Sequence, residues 1–245
     1  MVRHDALDQA FGGGDQKPVF LLKSGLFTIP VIAETDDYLV VDKPAGLVVY
    51  QPHSAHGPSL VEAARSYIDI EDGERAGVVH RLDKETSGIM LLARTEASQR
   101  YLSKLFKDRT IEKHYLALVQ GCLKQPQARL ELPIKRSLRR PTTMMIHPSG
   151  RTAISEYSVL GEYAGNSLVD VRILTGRTHQ IRVQLAYIGH PVVGDTVYGN
   201  ARRPAGLSQQ FLHASRLSFT DRVGHEVQYQ SSLPQPLQTY LEQQA

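Results

Sequence analysis

His80-Arg81-Leu82-Asp83-Lys84-Glu85-Thr86-Ser87-Gly88, followed by Ile89-Met90-Leu91-Leu92-Ala93, sets the reading of the chain. An acid flanked by cations stands just ahead of a short, unbroken apolar run. Such a run is an inner strand or a piece of buried helix. Gly88 before it and the helix-start signal at Thr95 after it favour the strand. Asp83 then lies in a loop feeding a rigid core element, where working side chains concentrate. Asp, Ser, Thr and Gly also build ordinary turns and helix caps, so residue types alone leave both readings open.

Outward from this stretch, Tyr38-Leu39-Val40-Val41-Asp42 is rich in β-forming residues and ends at Lys43-Pro44-Ala45-Gly46, a strand followed by a turn. Ser59 opens a helix with Leu60, Ala63, Ala64 and Tyr67 on one stripe and Glu62 as capping partner. Thr95 caps a second helix reaching about Arg109, with Ala97, Tyr101, Leu102, Leu105 and Phe106 at helical spacing. His114 to Val119 is a strand closed by Gly121. Glu156–Leu160 and Ser167–Leu174 form a strand pair joined through Gly161 to Asn166, a connection containing Gly165-Asn166. Thr175-Gly176 ends that strand and starts a helix with His179, Arg182, Leu185 and Ile188. Two late strands, Phe211–Phe219 and Glu226–Gln230, turn near Gly224. Many short strands with few helices indicate a mixed α+β fold.

The 245 residues carry 28 Lys and Arg against 25 Asp and Glu, a balance too mild to imply nucleic acid by itself. The distribution says more. Leu132 to Ser155 has no acid but holds Lys135, Arg136, Arg139, Arg140 and Arg151. Val171 to Gly194 is also acid-free and carries Arg172, Arg177 and Arg182 with His179 and His190. Clustered cations attract a polyanion and release its counterions on binding, though a solvated loop has the same composition. Cys122 is the only cysteine, which fits a reducing compartment. No apolar run approaches the roughly 20 residues needed to cross a bilayer, and the N-terminus lacks the apolar core of a secretion signal. A cytoplasmic protein with no membrane partner is expected. His53-Ser54-Ala55-His56 offers too few ligands for a zinc site, so no metal is expected.

His80–Gly88 resembles the signature of the RluA-type pseudouridine synthases, which isomerise uridine in RNA. Four further stretches resemble that family's elements in the family's order. They are Asp42-Lys43-Pro44-Ala45-Gly46, Lys113–Val119 with its tyrosine, Thr175–Arg182 with its arginine, and Phe211–Ala214. The resemblance covers roughly residues 32 to 235. It implies a catalytic domain over 31–235 between a peripheral segment, 1–30, and a tail, 236–245, without the accessory amino-terminal RNA-binding domain of many members. It also implies a largely antiparallel central sheet flanked by helices and loops, with the active-site cleft across the sheet.

The reaction breaks the N1–C1′ bond, turns the uracil and joins C5 to C1′. It is redox-neutral and involves no phosphoryl transfer, so no cofactor is expected. It needs one ionised carboxylate, and by resemblance this is Asp83. Attack on C1′ and removal of the C2′ proton are both open routes. The resemblance assigns Arg182 as the guanidinium that favours the ionised carboxylate and Tyr115 as the ring on which the freed base stacks. Arg81 would brace the stack vacated by the extruded nucleotide. Lys135, Arg136, Arg139, Arg140 and Arg177 would contact RNA.

A serine hydrolase would need a Gly-x-Ser-x-Gly elbow, which Thr86-Ser87-Gly88 lacks. A zinc deaminase would need more cysteines. A glycoside hydrolase would need a second acid beside Asp83, with only Glu85 and Asp195 to offer. The rival from another class is a non-catalytic RNA-binding protein on the same scaffold. There the acid, tyrosine or arginine would have degenerated, and all three are present. The expected partner is a ribosomal or transfer RNA stem-loop, and the expected state a monomer.

Overall fold

The computed structural model describes residues 17–52, 54, 57–71 and 73–244. Residues 1–16 of the segment expected to be peripheral, and the histidines 53 and 56, lie outside the described residues. Along the chain the elements are β1 (Phe20–Ser24), β2 (Phe27–Glu34), β3 (Tyr38–Lys43), α1 (Leu60–Ala64), β4 (Ser87–Ala93) and α2 (Glu96–Asp108). They continue with β5 (Glu112–Val119), β6 (Gln127–Glu131), β7 (Ile134–Arg136), β8 (Met144–Ile146), β9 (Ile154–Tyr163) and β10 (Asn166–Ile173). Last come α3 (Gln180–Tyr187), β11 (Leu212–Thr220), β12 (Glu226–Gln230) and α4 (Gln235–Glu242). Short strands and few helices make this an α+β fold.

The chain forms two compact units. One holds the described residues up to Glu112 together with Ala214–Ser232; the other holds Lys113–His213 and the residues from Leu233 onward. In the first unit the strand order is β1-β2-β3-β4-β11, with β12 paired to β11. The β1–β2, β2–β3, β3–β4 and β11–β12 ladders are antiparallel. All seven residues of β4 are buried, so the apolar run is a fully covered inner strand. Gly88 is obligatory there. It sits at φ +113°, and a Cβ would fall 2.6 Å from the Ala214 nitrogen and closer still to its carbonyl oxygen. Two backbones meet where no side chain fits.

α2 begins as the sequence predicts. The Thr95 hydroxyl accepts the Ser98 N–H at 3.2 Å, and the Ser98 hydroxyl accepts the Thr95 N–H at 3.1 Å. The helix closes on Arg109 at φ +62°. Leu102, Leu105 and Phe106 pack with Val40, Leu91 and Phe219. Ser59 caps α1 by accepting the Glu62 N–H at 3.2 Å. That helix stops after five residues and tightens into a 3₁₀ turn, Arg65–Tyr67. Residues 20–30, expected to be peripheral, instead pair in the β1–β2 hairpin and bury Leu22 and Ile29.

In the second unit the order is β5-β10-β9-β6, with antiparallel ladders. β9 and β10 run further than the sequence suggests and turn at Ala164-Gly165, with φ of +44° and +76°. Two successive positive φ values match the right-handed twist of a tight hairpin. β7 and β8 form a separate two-stranded hairpin. Most of the expected tail, 236–245, belongs to the helix α4. Leu237, Tyr240 and Leu241, at helical spacing, join Leu233, Phe211 and Leu118 in the core, and glutamines take the outer face.

Candidate active site

Asp83 opens a tight turn immediately before β4, in which the Thr86 N–H donates to the Asp83 carbonyl at 3.1 Å. The side chain is half-buried. The turn is fastened from below by Lys43, whose side chain is completely buried at the end of β3 opposite Gly88. Its ammonium donates to the carbonyls of Pro44 and Leu47, each at 2.9 Å, and of Lys84 at 3.3 Å. The Gly46 N–H adds a bond to the Lys84 carbonyl at 2.8 Å. Burial pushes the Lys43 ammonium down to about 7, against the upward pull of the Asp83 and Asp42 carboxylates. Among these residues, sequence marks Lys43 as part of a motif but does not disclose that it is buried.

His80 secures the other side of the turn. Its Nε2 accepts the Leu91 N–H at 2.9 Å, and its ring stacks on Phe106 at 4.5 Å. That acceptor role places the ring proton of the neutral imidazole on Nδ1. The exposed Arg81 donates to the Tyr50 hydroxyl at 3.0 Å and lies 5.5 Å from the centre of its ring. Arg75 lies over the same ring at 4.7 Å. Neither Tyr50 nor Arg75 stands out in the sequence.

The second unit carries the tyrosine and the arginine. Tyr115 lies on β5 opposite Val171 of β10 and is 8% exposed. Arg182 lies on α3 and makes a two-pronged pair with Asp195, Nε to Oδ2 at 2.7 Å and Nη2 to Oδ1 at 3.0 Å. The bidentate geometry expected of Arg182 is thus made with a carboxylate that the sequence reading considered only as a hydrolase acid. Asp195 also accepts the N–H groups of Val197 at 2.8 Å and Tyr198 at 3.1 Å. Burial would raise its carboxyl, but the Arg182 hydrogen bond and charge and the two N–H donors hold it below the usual carboxylate value. Tyr198 lies beside the guanidinium, with Cζ 5.1 Å from the ring centre. One signal could have pointed here: Asp195 is the first acid after the acid-free run ending at Gly194.

Gln180 of the arginine-bearing motif, and Gln184 beyond it, make structural hydrogen bonds. Gln180 accepts the Thr175 hydroxyl at 2.7 Å and the Arg177 N–H at 3.0 Å, and donates to the Ile154 carbonyl and Ser155 Oγ, both at 2.9 Å. Gln184 accepts the Ser155 hydroxyl at 2.7 Å and donates to the Ala153 carbonyl at 3.0 Å. These bonds let a helix with buried amides pack on β9 without orphaned polar groups. The expected start near Thr175 moves to Gln180, because a turn precedes it in which the Gln180 N–H donates to the Arg177 carbonyl at 3.0 Å, with His179 at φ +55°.

The β7–β8 hairpin holds the cations singled out by the acid-free run. Arg136, Arg139 and Arg140 are exposed, and Lys135 is half-buried with its ammonium 3.3 Å from Ser149 Oγ. Arg136 donates to the Pro141 carbonyl across the tip. Arg177, at the foot of α3, donates through Nε to the Thr152 carbonyl at 3.0 Å. Among the described residues no group of three His, Cys, Asp or Glu side chains is arranged to hold a metal ion. None of the described helices is long and apolar enough to cross a membrane.

The chain matches the profile of the family described as RNA pseudouridylate synthase over residues 37–187. It is 34% identical over 223 residues to a ribosomal large subunit pseudouridine synthase D of Yersinia pestis, covering 85% of this chain and 68% of that protein. It is 40% identical over 207 residues to an uncharacterized RNA pseudouridine synthase of Chloroflexus aurantiacus, covering 82% and 65%. The chain thus spans about two thirds of the length of these curated relatives. Among solved structures, Human RNA Pseudouridylate Synthase Domain Containing 1 superimposes with a TM-score of 0.68 at 28% identity, covering 90% of this chain and 86% of that one. The profile match and the Yersinia pestis relative are sufficient: the chain belongs to the RNA pseudouridylate synthase family, enzymes that isomerise uridine in RNA.

Proposed function

We propose that this enzyme converts a uridine of structured large-subunit ribosomal RNA to pseudouridine, using Asp83, Tyr115 and Arg182. Asp83 is the carboxylate that either bonds to C1′ or takes the C2′ proton while the N1–C1′ bond breaks. Tyr115 offers its ring to the freed uracil, and Arg182 is the guanidinium that favours the ionised carboxylate. On re-ligation C5 bonds to C1′, the C5 proton leaves to solvent and N1 takes one up. Arg81 fills the stack left by the extruded nucleotide. Lys135, Arg136, Arg139, Arg140 and Arg177 meet phosphates. The enzyme works in the cytoplasm as a monomer and without a cofactor.

The observation that carries this reading is the setting of Asp83, a half-buried carboxylate in a turn braced by Lys43 and His80 ahead of a fully covered strand. The ribosomal substrate is supported by the Yersinia pestis and Nitrosomonas europaea relatives, both named ribosomal large subunit pseudouridine synthase D. The test is Asp83→Asn, assayed by tritium release from large-subunit ribosomal RNA labelled at C5 of its uridines. The variant should fold, bind RNA like the parent and release no tritium. Release at the parental rate would remove Asp83 from the chemistry; a parent that releases none would favour a binding protein on the same scaffold.

A further inference from the structure

Tyr198 joins two parts of the second unit that the proposed chemistry uses for different ends. Its hydroxyl accepts the Met144 backbone N–H at 2.7 Å, which fixes the first residue of β8 in the cationic hairpin. The same hydroxyl lies 2.7 Å from Nδ1 of His179, the residue that opens α3. A hydroxyl has one proton and two lone pairs, so it can accept from Met144 while donating to His179. Tyr198, like Met144 and Ile146 of the hairpin, packs against the buried cluster of Ile134, Ala153 and Val183, which roots the hairpin on α3. One ring face stands 5.1 Å from the Arg182 Cζ, and the Tyr198 N–H donates to the carboxylate that grips Arg182. Asp195 accepts two N–H groups of the guanidinium, whose carbon lies over the Tyr198 ring.

Simple space-filling would need only the ring, and simple capping only the hydroxyl. Here both are committed, to different neighbours. We propose that Tyr198 is a positioning residue that ties the β7–β8 hairpin to Arg182, its ring holding the guanidinium and its hydroxyl holding the base of the hairpin. This rests on the reading that Arg182 serves the reaction and the hairpin meets RNA.

The two tasks separate in two variants. Tyr198→Phe keeps the ring and loses both hydroxyl bonds. With C5-tritiated large-subunit ribosomal RNA, its single-turnover rate at saturating enzyme should stay within about threefold of the parent. Its half-saturating concentration should rise about tenfold, the worth of one or two buried bonds. Tyr198→Leu also loses the ring; a guanidinium displaced by about 1 Å lowers the saturated rate about a hundredfold. In an Arg182→Ala background, Tyr198→Leu should lower the rate no further, because the group it positions is gone. Should the Leu variant fail to give a cooperative melt, Tyr198→Met, an adaptable apolar filler, takes its place.

The proposal is overturned if Phe and Leu shift rate and half-saturation alike, if neither changes either quantity, or if the Leu loss persists unchanged without Arg182. A parental rate in Arg182→Ala alone would instead overturn the assignment of Arg182. Unaltered RNA affinity on reversal of Arg139 and Arg140 would overturn the role of the hairpin.

Discussion

Stability should rise with pH through Lys43, by an amount set by its burial. In the folded protein the ammonium sits near 7; in the unfolded chain it returns to 10.5. Below pH 7 both states hold the proton, and the cost of burying the charge is borne in full. Between pH 7 and 10.5 the unfolded chain binds one proton more than the folded chain, so stability climbs with pH. One pH unit in this window is worth at most about 1.4 kcal/mol, and the interval from pH 7 to 9 about 2–3 kcal/mol. Lys43→Met has no titrating group and takes one donor from each of the Pro44, Leu47 and Lys84 carbonyls, of which Lys84 keeps the Gly46 N–H. It should be less stable than the parent throughout, by about 1–3 kcal/mol for each carbonyl that water fails to reach. Urea unfolding of both proteins at pH 6, 7, 8 and 9 gives their difference at each pH, in which the groups common to both cancel. That difference should be level below pH 7 and grow above it. A difference that stays flat to pH 9 would refute the lowered ammonium. In an Asp83→Asn background the growth should begin at lower pH, because a carboxylate that holds the proton on Lys43 has been removed; an unmoved onset would take Asp83 out of electrical contact with Lys43.

Three further outcomes are expected. Tyr115→Phe should retain most tritium release if stacking is the whole role of Tyr115 and lose it if the hydroxyl handles the C5 proton, whereas full activity of Tyr115→Ala would reject both. Reversing Arg139 and Arg140 to Glu should weaken binding to many RNAs and lower the slope of log affinity against log salt by about 1–2; an unchanged slope would make the hairpin an ordinary solvated surface. Gly88→Ala should cost about 3 kcal/mol or more, since backbone strain and overlap with Ala214 add, and a loss under about 1 kcal/mol in denaturant unfolding would contradict the close approach of the two strands.

The parts legible in the sequence share one property: their signal is local. β4 is an unbroken apolar run bounded by Gly88 and Thr95, and α2 carries its cap and its apolar stripe within thirteen residues. Asp83, Tyr115 and Arg182 are the expected site residues because ordered motifs accompany them. The parts missed depend on partners far along the chain or on burial. Asp195 lies thirteen residues after Arg182 across a loop, and nothing local distinguishes it from a turn carboxylate. Lys43 has an ordinary sequence neighbourhood, and its value comes from three carbonyls and a covering of core. α4 was overlooked because its three apolar residues are diluted by glutamine and stand behind Pro234 and Pro236, although Pro236 sits in the first turn, where its missing N–H has no intrahelical partner to lose.

The contact at Gly88 also governs the order in which the first unit is completed. β4 ends at Ala93, and β11, the strand laid against its other flank, begins at Leu212, about 120 residues later. At about 5–20 residues per second on the ribosome, that gap is roughly 6–24 s of synthesis. Throughout it, a strand that is apolar from Ile89 to Ala93, with a glycine-thinned backbone, has one open edge. Such an edge is a template for pairing with another nascent chain until the β11–β12 hairpin arrives to cap it.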